Sequence, residues 1–518
     1  MRQTTLRSLL AAILACAAGA THADVRMAAI FKPHMVLQRD LPIPIWGWAE
    51  PGEAVTVTVA EQTKGAMAGK NGAWRVALAP MPAGGPHTLT AKGNNAVTCD
   101  DVLIGDVWLC SGQSNMAMNV RGSNNAAEEA KAAAYPQIRM ATLPRQAAQT
   151  PQKDCALRAW NVCSPETVPG FSATAYFFGR HLHKRLNVPI GLINASWGGT
   201  CVEAWTPVEA LEAIPSGREL IEQYRRKAEA YDADAAEAAY KRRLEGWEKR
   251  RKAAKEAGKR PPRKPRPPVP PDKDQNGPAR LYNAMIAPLV PYAIRGAIWY
   301  QGERNSNGIK DAYDYRFELP AKITSWRKIW GQGDFPYLFV QLPNYGGKDP
   351  DALALNRESM LVTMQTTPNT AMAITIDVGD TKDIHPKNKQ AVGERLGIAA
   401  RHIAYGEEIC PVGPIFVSKK PRGNSMVLAF DHVAHGLEAR DGDVREFTIA
   451  GEDRVFVPAT ATIATTNTIT VSNPKVAKPV AVRYAWTNDP KCNLYNDNGL
   501  PASPFRTDNW EIPGQEGN

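Results

Sequence analysis

Residues 109 to 116 read LCSGQSNM, a turn of small and polar side chains that ends the apolar run IGDVWLC. A serine there is chemically useful only beside a base, because an alcohol is a weak nucleophile until an imidazole takes its proton. Three further apolar runs end in polar residues of the right kinds. PIGLIN is followed by the glycines of ASWGGT, AIWY by QGERN, and AITIDVGD by DIHP. Each has an ordinary reading as a turn or loop. Taken together they offer a nucleophile (Ser114), backbone donors, side-chain amide donors and a base (His385), which is the equipment of acyl transfer.

These groups can meet only if their strands lie in one sheet. The runs VLIGDVWLC, PIGLINAS, AIRGAIWYQ, PYLFVQL and TAMAITID are continuously apolar, and helix-like segments (ATAYFFGRHLHKRL, YRFELPAKITSWRKIW, KQAVGERLGIAARHIA) lie between several of them. That texture predicts an α/β fold, a parallel sheet with helices on both faces, in which ligands bind beyond the carboxyl ends of the strands. Residues 24–100 alternate instead (AVTVTVAEQ, GAWRVALAP, HTLTAKG) and predict an N-terminal β-sandwich-like domain. The α/β domain is expected over 101–410. Alternation returns after it, so 411–518 is expected to be a C-terminal β-rich region. A helical, basic insertion at about 207–278 interrupts the α/β part. Tyr240, Leu244 and Trp247 share a helix face there, and KRPPRKPRPPVPP must then be extended.

GQSNM (Gly112 to Met116), ASWGGTCVEAW (Ala195 to Trp205), LYNAMIAPL (Leu281 to Leu289), IWYQGERN (Ile298 to Asn305) and DIHPKNKQAVGERL (Asp383 to Leu396) resemble, in order, the motifs of the sialate O-acetylesterase family, part of the SGNH hydrolase superfamily. RYAWTNDP and NGLPASPFRTDNW resemble its C-terminal portion, so the likeness spans nearly all of the chain and is weakest near 216–274. The resemblance implies an SGNH-hydrolase-like sheet and a serine esterase in which Ser114 attacks an acetyl carbonyl and His385 is the base. It implies oxyanion donors at the Ser114 backbone N–H and at Gly199 or Gly198. The usual third donor is an asparagine in a Gly-x-Asn-Asp block. QGERN stands in its place, so Gln301 and Asn305 are the candidate amides, and Glu303, an acceptor when ionised, is expected to order the loop. The chain also departs from the superfamily around its base. The acid commonly stands three residues before the histidine, where this chain has Lys382; Asp383 is favoured, with Asp380 or a backbone carbonyl in a Ser-His dyad as alternatives.

Composition bounds the rest. At 518 residues and 43% hydrophobic content the chain can bury several cores. Residues 1–23 have arginines, a short apolar stretch and small residues near the end, which predicts a cleaved signal peptide and a periplasmic or secreted protein. No later segment predicts an integral membrane span. The net charge of +10 is concentrated in 216–274, where Lys and Arg exceed Asp and Glu by seven, so nucleic-acid binding by the main fold is not expected. Seven cysteines after Cys16 permit a disulfide, Cys155 and Cys163 being the closest pair, while no CxxC or HExxH spacing predicts a metal or other cofactor. The expected partner is an O-acetylated carbohydrate, sialate first and plant xylan as the alternative. A non-catalytic glycan-binding protein is the reading from another class, though Trp46, Trp48 and Trp74 are expected in the core rather than on a sugar platform.

Overall fold

The structure is a computed structural model that describes residues 24–347 and 349–515. The signal peptide expected over 1–23 lies outside them, as does Cys16. The alternating N-terminal runs pair as antiparallel strands. Arg26–Met27, Ile43–Trp48 and Ala73–Leu78 make one sheet. Ala54–Val59 pairs with Gln62–Met67 and with Gly84–Lys92 in another. Trp46 and Trp74 are buried in the core, and Trp48 is half-buried with the Arg26 guanidinium 4.0 Å above its ring.

The boundary expected at 100/101 falls inside one 17-residue strand, Ala96–Gly112. Its first half pairs antiparallel with Gly84–Lys92; from Asp106 onward it pairs in parallel with Ile190–Ser196 and then Gly296–Tyr300. The texture of the sequence changes where the pairing changes, without a break in the chain. All five continuous apolar runs form strands of this large mixed sheet. Tyr135–Thr142 is parallel to Ile190–Ser196, and Tyr337–Val340 and Thr370–Ala373 continue the parallel set beyond Gly296–Tyr300. Trp160–Cys163 adds an antiparallel edge.

Both faces of this sheet are apolar because helices cover them. Trp108 is in register with Gly296, and its ring meets Phe178 of helix Ala173–Leu186 edge-on at 4.9 Å. Trp299, an odd number of residues from Gly296, therefore points to the opposite face, where it meets Trp326 of helix Ile309–Trp330 at 6.3 Å. Truncating such a buried tryptophan to alanine typically costs about 3 to 5 kcal/mol.

Asp106 joins the β-rich part to the helical one. Its fully buried side chain accepts from Arg39 (3.0 Å), Arg295 (3.1 Å) and the Tyr405 hydroxyl (3.0 Å). Burial alone would raise its pKa, but the two guanidiniums outweigh burial and hold it below the usual carboxylate range. Removing one partner would leave an uncompensated buried charge, the costly case for an internal ion pair.

The C-terminal region folds as expected into β-sheets. Ile415–Arg422, Ser425–Asp431, Thr468–Ser472 and Thr460–Thr465 form one; Phe447–Ala450, Ala481–Tyr484 and Phe505–Arg506 belong to another. Phe416 stacks on Phe505 at 4.7 Å within their shared core. Arg357, on helix Pro350–Thr366, donates to the carbonyls of Thr487 (2.7 Å) and Asn488 (3.0 Å) and so binds this region to the α/β part.

The disulfide that the sequence permits is not formed. All seven described cysteines are free; Cys155 and Cys163 are buried, and the Cys163 thiol donates to the carbonyl of Ala133. Burial pushes the Cys155 thiol up to about 11 and that of Cys163 to about 12, which keeps both protonated and inert.

Candidate active site

Ser114 opens a one-turn helix, Ser114–Ala117, directly where the strand Ala96–Gly112 ends. Gly112 makes that ending possible. A Cβ on it would lie 2.2 Å from the carbonyl oxygen of Tyr300, so only glycine lets the strand close against its neighbour. Gln113 then donates its backbone N–H to the same carbonyl at 2.9 Å. As the first helical residue, Ser114 has a backbone N–H without an intrahelical acceptor.

His385 arrives from a loop 271 residues further on, and its Nε2 lies 2.8 Å from Ser114 Oγ. Asp383 Oδ1 accepts the backbone N–H of His385 at 2.9 Å and lies 3.3 Å from the ring's Nδ1. Both side chains are substantially exposed, His385 by 41% and Asp383 by 52%, which weakens this pair relative to a buried one. Asp380 takes a different place. Its Oδ1 caps the loop by accepting the backbone N–H groups of Lys382 and Asp383.

The WGGT loop faces the serine. A Cβ on Gly198 would come within 3.2 Å of the Ser114 Cβ, and Gly199 adopts φ +74°, which favours glycine. The loop is held from outside by the end of the insertion. Gln275 Nε2 donates to the Gly198 carbonyl (3.5 Å), Asn276 Nδ2 donates to the Gly199 carbonyl (3.3 Å), and Asn276 Oδ1 accepts the Cys201 N–H (3.0 Å).

The amides of QGERN are engaged elsewhere. Gln301 Nε2 donates to Asn305 Oδ1 (2.8 Å), the Thr200 carbonyl (3.0 Å) and Gln113 Oε1 (3.3 Å), which uses both of its hydrogens. Asn305 Nδ2 is directed to Glu203 Oε2 (3.1 Å) and Glu318 Oε2 (3.5 Å). Both residues are fully or nearly fully buried, and they knit the three loops together from below instead of presenting donors to a cleft. Burial, reinforced by the neighbouring Glu203, pushes Glu318 well above the usual carboxylate range.

Glu303 is also buried and accepts from Asn115 Nδ2 at 2.5 Å; burial raises its pKa. Asn115 is a hub. Its Nδ2 also donates to the carbonyl of Ile384 (3.0 Å), and its Oδ1 accepts from Lys389 Nζ (2.6 Å). Lys389 is fully buried, and desolvation lowers its ammonium pKa to about 7. Sequence reasoning missed Lys389, Gln275 and Asn276. A signal for the first existed, since a lysine at the first position of helix Lys389–Ile403 opposes the helix dipole and calls for a reason. The other two sit in an insertion with no motif of its own.

The assembled groups provide a hydroxyl, an imidazole within proton-transfer reach and a glycine loop beside them, which suits acyl transfer. Among the described residues, no three His, Cys, Asp or Glu side chains gather as metal ligands would.

Fold and site define a carboxylic ester hydrolase. The family model "Carbohydrate esterase, sialic acid-specific acetylesterase" matches residues 104–239 and 273–401, and the chain belongs to that family. It is 32% identical to the sialate O-acetylesterase of Pongo abelii, over 93% of this chain and 92% of that protein. It is 31% identical to the enzyme of the same name from Mus musculus, over 93% and 94%. The crystal structure of a carbohydrate acetylesterase from Xanthomonas citri superposes with a TM-score of 0.80 at 35% identity, covering 94% of this chain and 100% of that one.

Proposed function

We propose that this chain hydrolyses O-acetyl esters on carbohydrates, sialate O-acetyl esters foremost, through an acyl-enzyme on Ser114. His385 Nε2 takes the hydroxyl proton as Oγ attacks the acetyl carbonyl, and Asp383 orients the ring through Nδ1. The tetrahedral oxygen is met by the Ser114 N–H and by a backbone N–H of the Gly198–Gly199 loop. The intermediate collapses as His385 returns the proton to the departing sugar oxygen. Water activated by the same imidazole then releases acetate.

We read the large sheet, finer than its mixed α/β character, as the parallel SGNH hydrolase scaffold with helices on both faces. The arginines and short apolar stretch within residues 1–23 support a periplasmic or secreted site of action. The observation that carries the mechanism is the 2.8 Å approach of His385 Nε2 to Ser114 Oγ across 271 residues of chain. The relatives named sialate O-acetylesterase support the substrate.

Acetate release from O-acetylated sialic acid and from acetylated xylan, by the parent and by Ser114→Ala, tests both parts. Loss of a triad serine ordinarily costs on the order of 10⁶ in turnover. A variant with parental activity sinks the mechanism. Release from xylan alone moves the substrate to plant polysaccharide and leaves the chemistry intact.

A further inference from the structure

The family model matches no residue between 240 and 272, the middle of the insertion. Its charge is extreme. Residues 241–266 hold thirteen Lys and Arg against three acids, and every one of the thirteen is exposed. Charged helices normally offset such density with pairs three or four residues apart, as Arg225 does with Glu222 and Glu229 in the preceding helix. Among the described residues, none of the thirteen has an acidic partner within 4 Å.

This surface is built. Trp247, on helix Ala233–Glu256, is only 9% exposed because the proline-rich return packs over it. Its indole N–H donates to the Pro262 carbonyl at 2.8 Å, and Arg251 and Lys264 lie 5.0 Å and 5.9 Å from its ring. Two basic rows, one helical and one extended, are thereby held together, and little ordering would remain for a ligand to impose. Along the helix alone, Lys241 to Lys255 covers about 20 Å at a rise of ~1.5 Å per residue, several sugar units long. The root of the arm is Asn276, bonded to the Gly199 carbonyl beside Ser114.

A membrane-surface helix needs an exposed apolar face. Here Trp247 is turned into the proline segment and Leu244 is half-buried, which leaves charge as the means of recognition. A polyanion in water is the matching partner, since its binding releases the counterions that unpaired cations collect.

We propose that this arm binds a linear, carboxylate-bearing polysaccharide that carries the acetyl esters, such as a chain of O-acetylated sialic acid, and presents it to the cleft at its root. The proposal rests on the esterase reading for its substrate. The test uses the full chain with Arg242, Arg243, Lys249, Arg250, Lys252 and Lys255 all replaced by Gln, sparing Arg251 and Lys264 against Trp247. Binding of unacetylated polysialic acid, followed by titration calorimetry, needs no turnover. The parent should bind and weaken about tenfold or more between low and physiological salt, and the variant should lose at least about tenfold at low salt. The variant's KM for the acetylated polymer should rise similarly while its hydrolysis of 4-nitrophenyl acetate stays parental, which also certifies its fold. No binding by the parent, or parental affinity in the variant, overturns the proposal. So does tighter binding to phosphatidylglycerol vesicles than to the polymer at equal salt. Salt-sensitive binding by a parent that released no acetate would uphold the arm and overturn the esterase reading.

Discussion

Asn115 donates its side-chain N–H to the carbonyl of Ile384 at 3.0 Å, so the residue after the serine is bonded to the residue before the histidine. The nucleophile's helical turn and the base's loop come from distant parts of the chain, and this amide bridges them directly. Its other contacts, to Glu303 and Lys389, keep the amide from rotating. Asn115→Ala should therefore lower kcat for 4-nitrophenyl acetate by about a hundredfold, the cost of a misplacement of roughly 1 Å, with KM little changed. Steady-state kinetics decide it, and parental kcat would show that each loop holds its own position.

The choice between the two acids follows from what each carboxylate touches. Asp383 lies at the imidazole, whereas Asp380, among the described residues, accepts loop backbone N–H groups. Asp383→Asn should reduce kcat, and by far less than the ~10⁴ lost with a buried triad acid, because water screens this exposed pair. Asp380→Asn should leave kcat within about threefold and lower thermal stability by about 1 kcal/mol for the weakened loop cap. The reverse ranking in kcat would transfer the orienting role to Asp380.

Much of this was legible in the sequence because strand ends carry local signals. The continuous apolar runs predicted five strands of the large sheet but not Tyr135–Thr142 or Trp160–Cys163, and the polar residues after them predicted that Ser114, Gly198 and His385 meet. The buried partners of Gln301 and Asn305 were not legible, for a physical reason. A side-chain amide looks the same in sequence whether it faces a cleft or a buried acceptor, and here Thr200 and Glu203, distant in sequence, and Glu318 take its hydrogens. The boundary expected at residue 100 lies within one strand because pairing can change from antiparallel to parallel along it without a break in the chain. The Asn276 contact was illegible, since nothing local tells which distant loop a return segment will meet.

Lys389 makes the site's stability depend on pH. Burial lowers its pKa to about 7, even with Glu303 and Asp383 opposing the shift, against about 10.4 in an unfolded chain. Between those values the unfolded chain keeps a proton that the folded chain releases. Stability should therefore rise with pH across that window, and the full burial cost is present below about pH 7. Lys389→Met removes the titration. The melting temperature of the parent should climb from pH 7 toward 10 relative to that of the variant, and parallel profiles would show that the lysine does not titrate there.

Asn276 extends the insertion's influence to the glycines beside the serine. Its Nδ2 and Oδ1 grip Gly199 and Cys201, and its own N–H donates to Asp274 Oδ1 at 3.0 Å. Asp274 Oδ2 in turn accepts from the hydroxyl of Tyr224 at 3.0 Å, on helix Pro215–Glu229. A loop that must place a backbone N–H at a developing oxyanion loses value when its frame loosens. Asn276→Ala should lower kcat about tenfold at nearly constant KM, less than the 10²–10³ typical when a donor itself is lost. Asn276→Asp keeps the acceptor for Cys201 but sets an anionic oxygen against the Gly199 carbonyl, so it should be worse than alanine although it is closer in shape. That inverted order separates a set loop geometry from general destabilisation, and equal kcat in both variants and the parent would show that the glycine loop holds its conformation without the insertion.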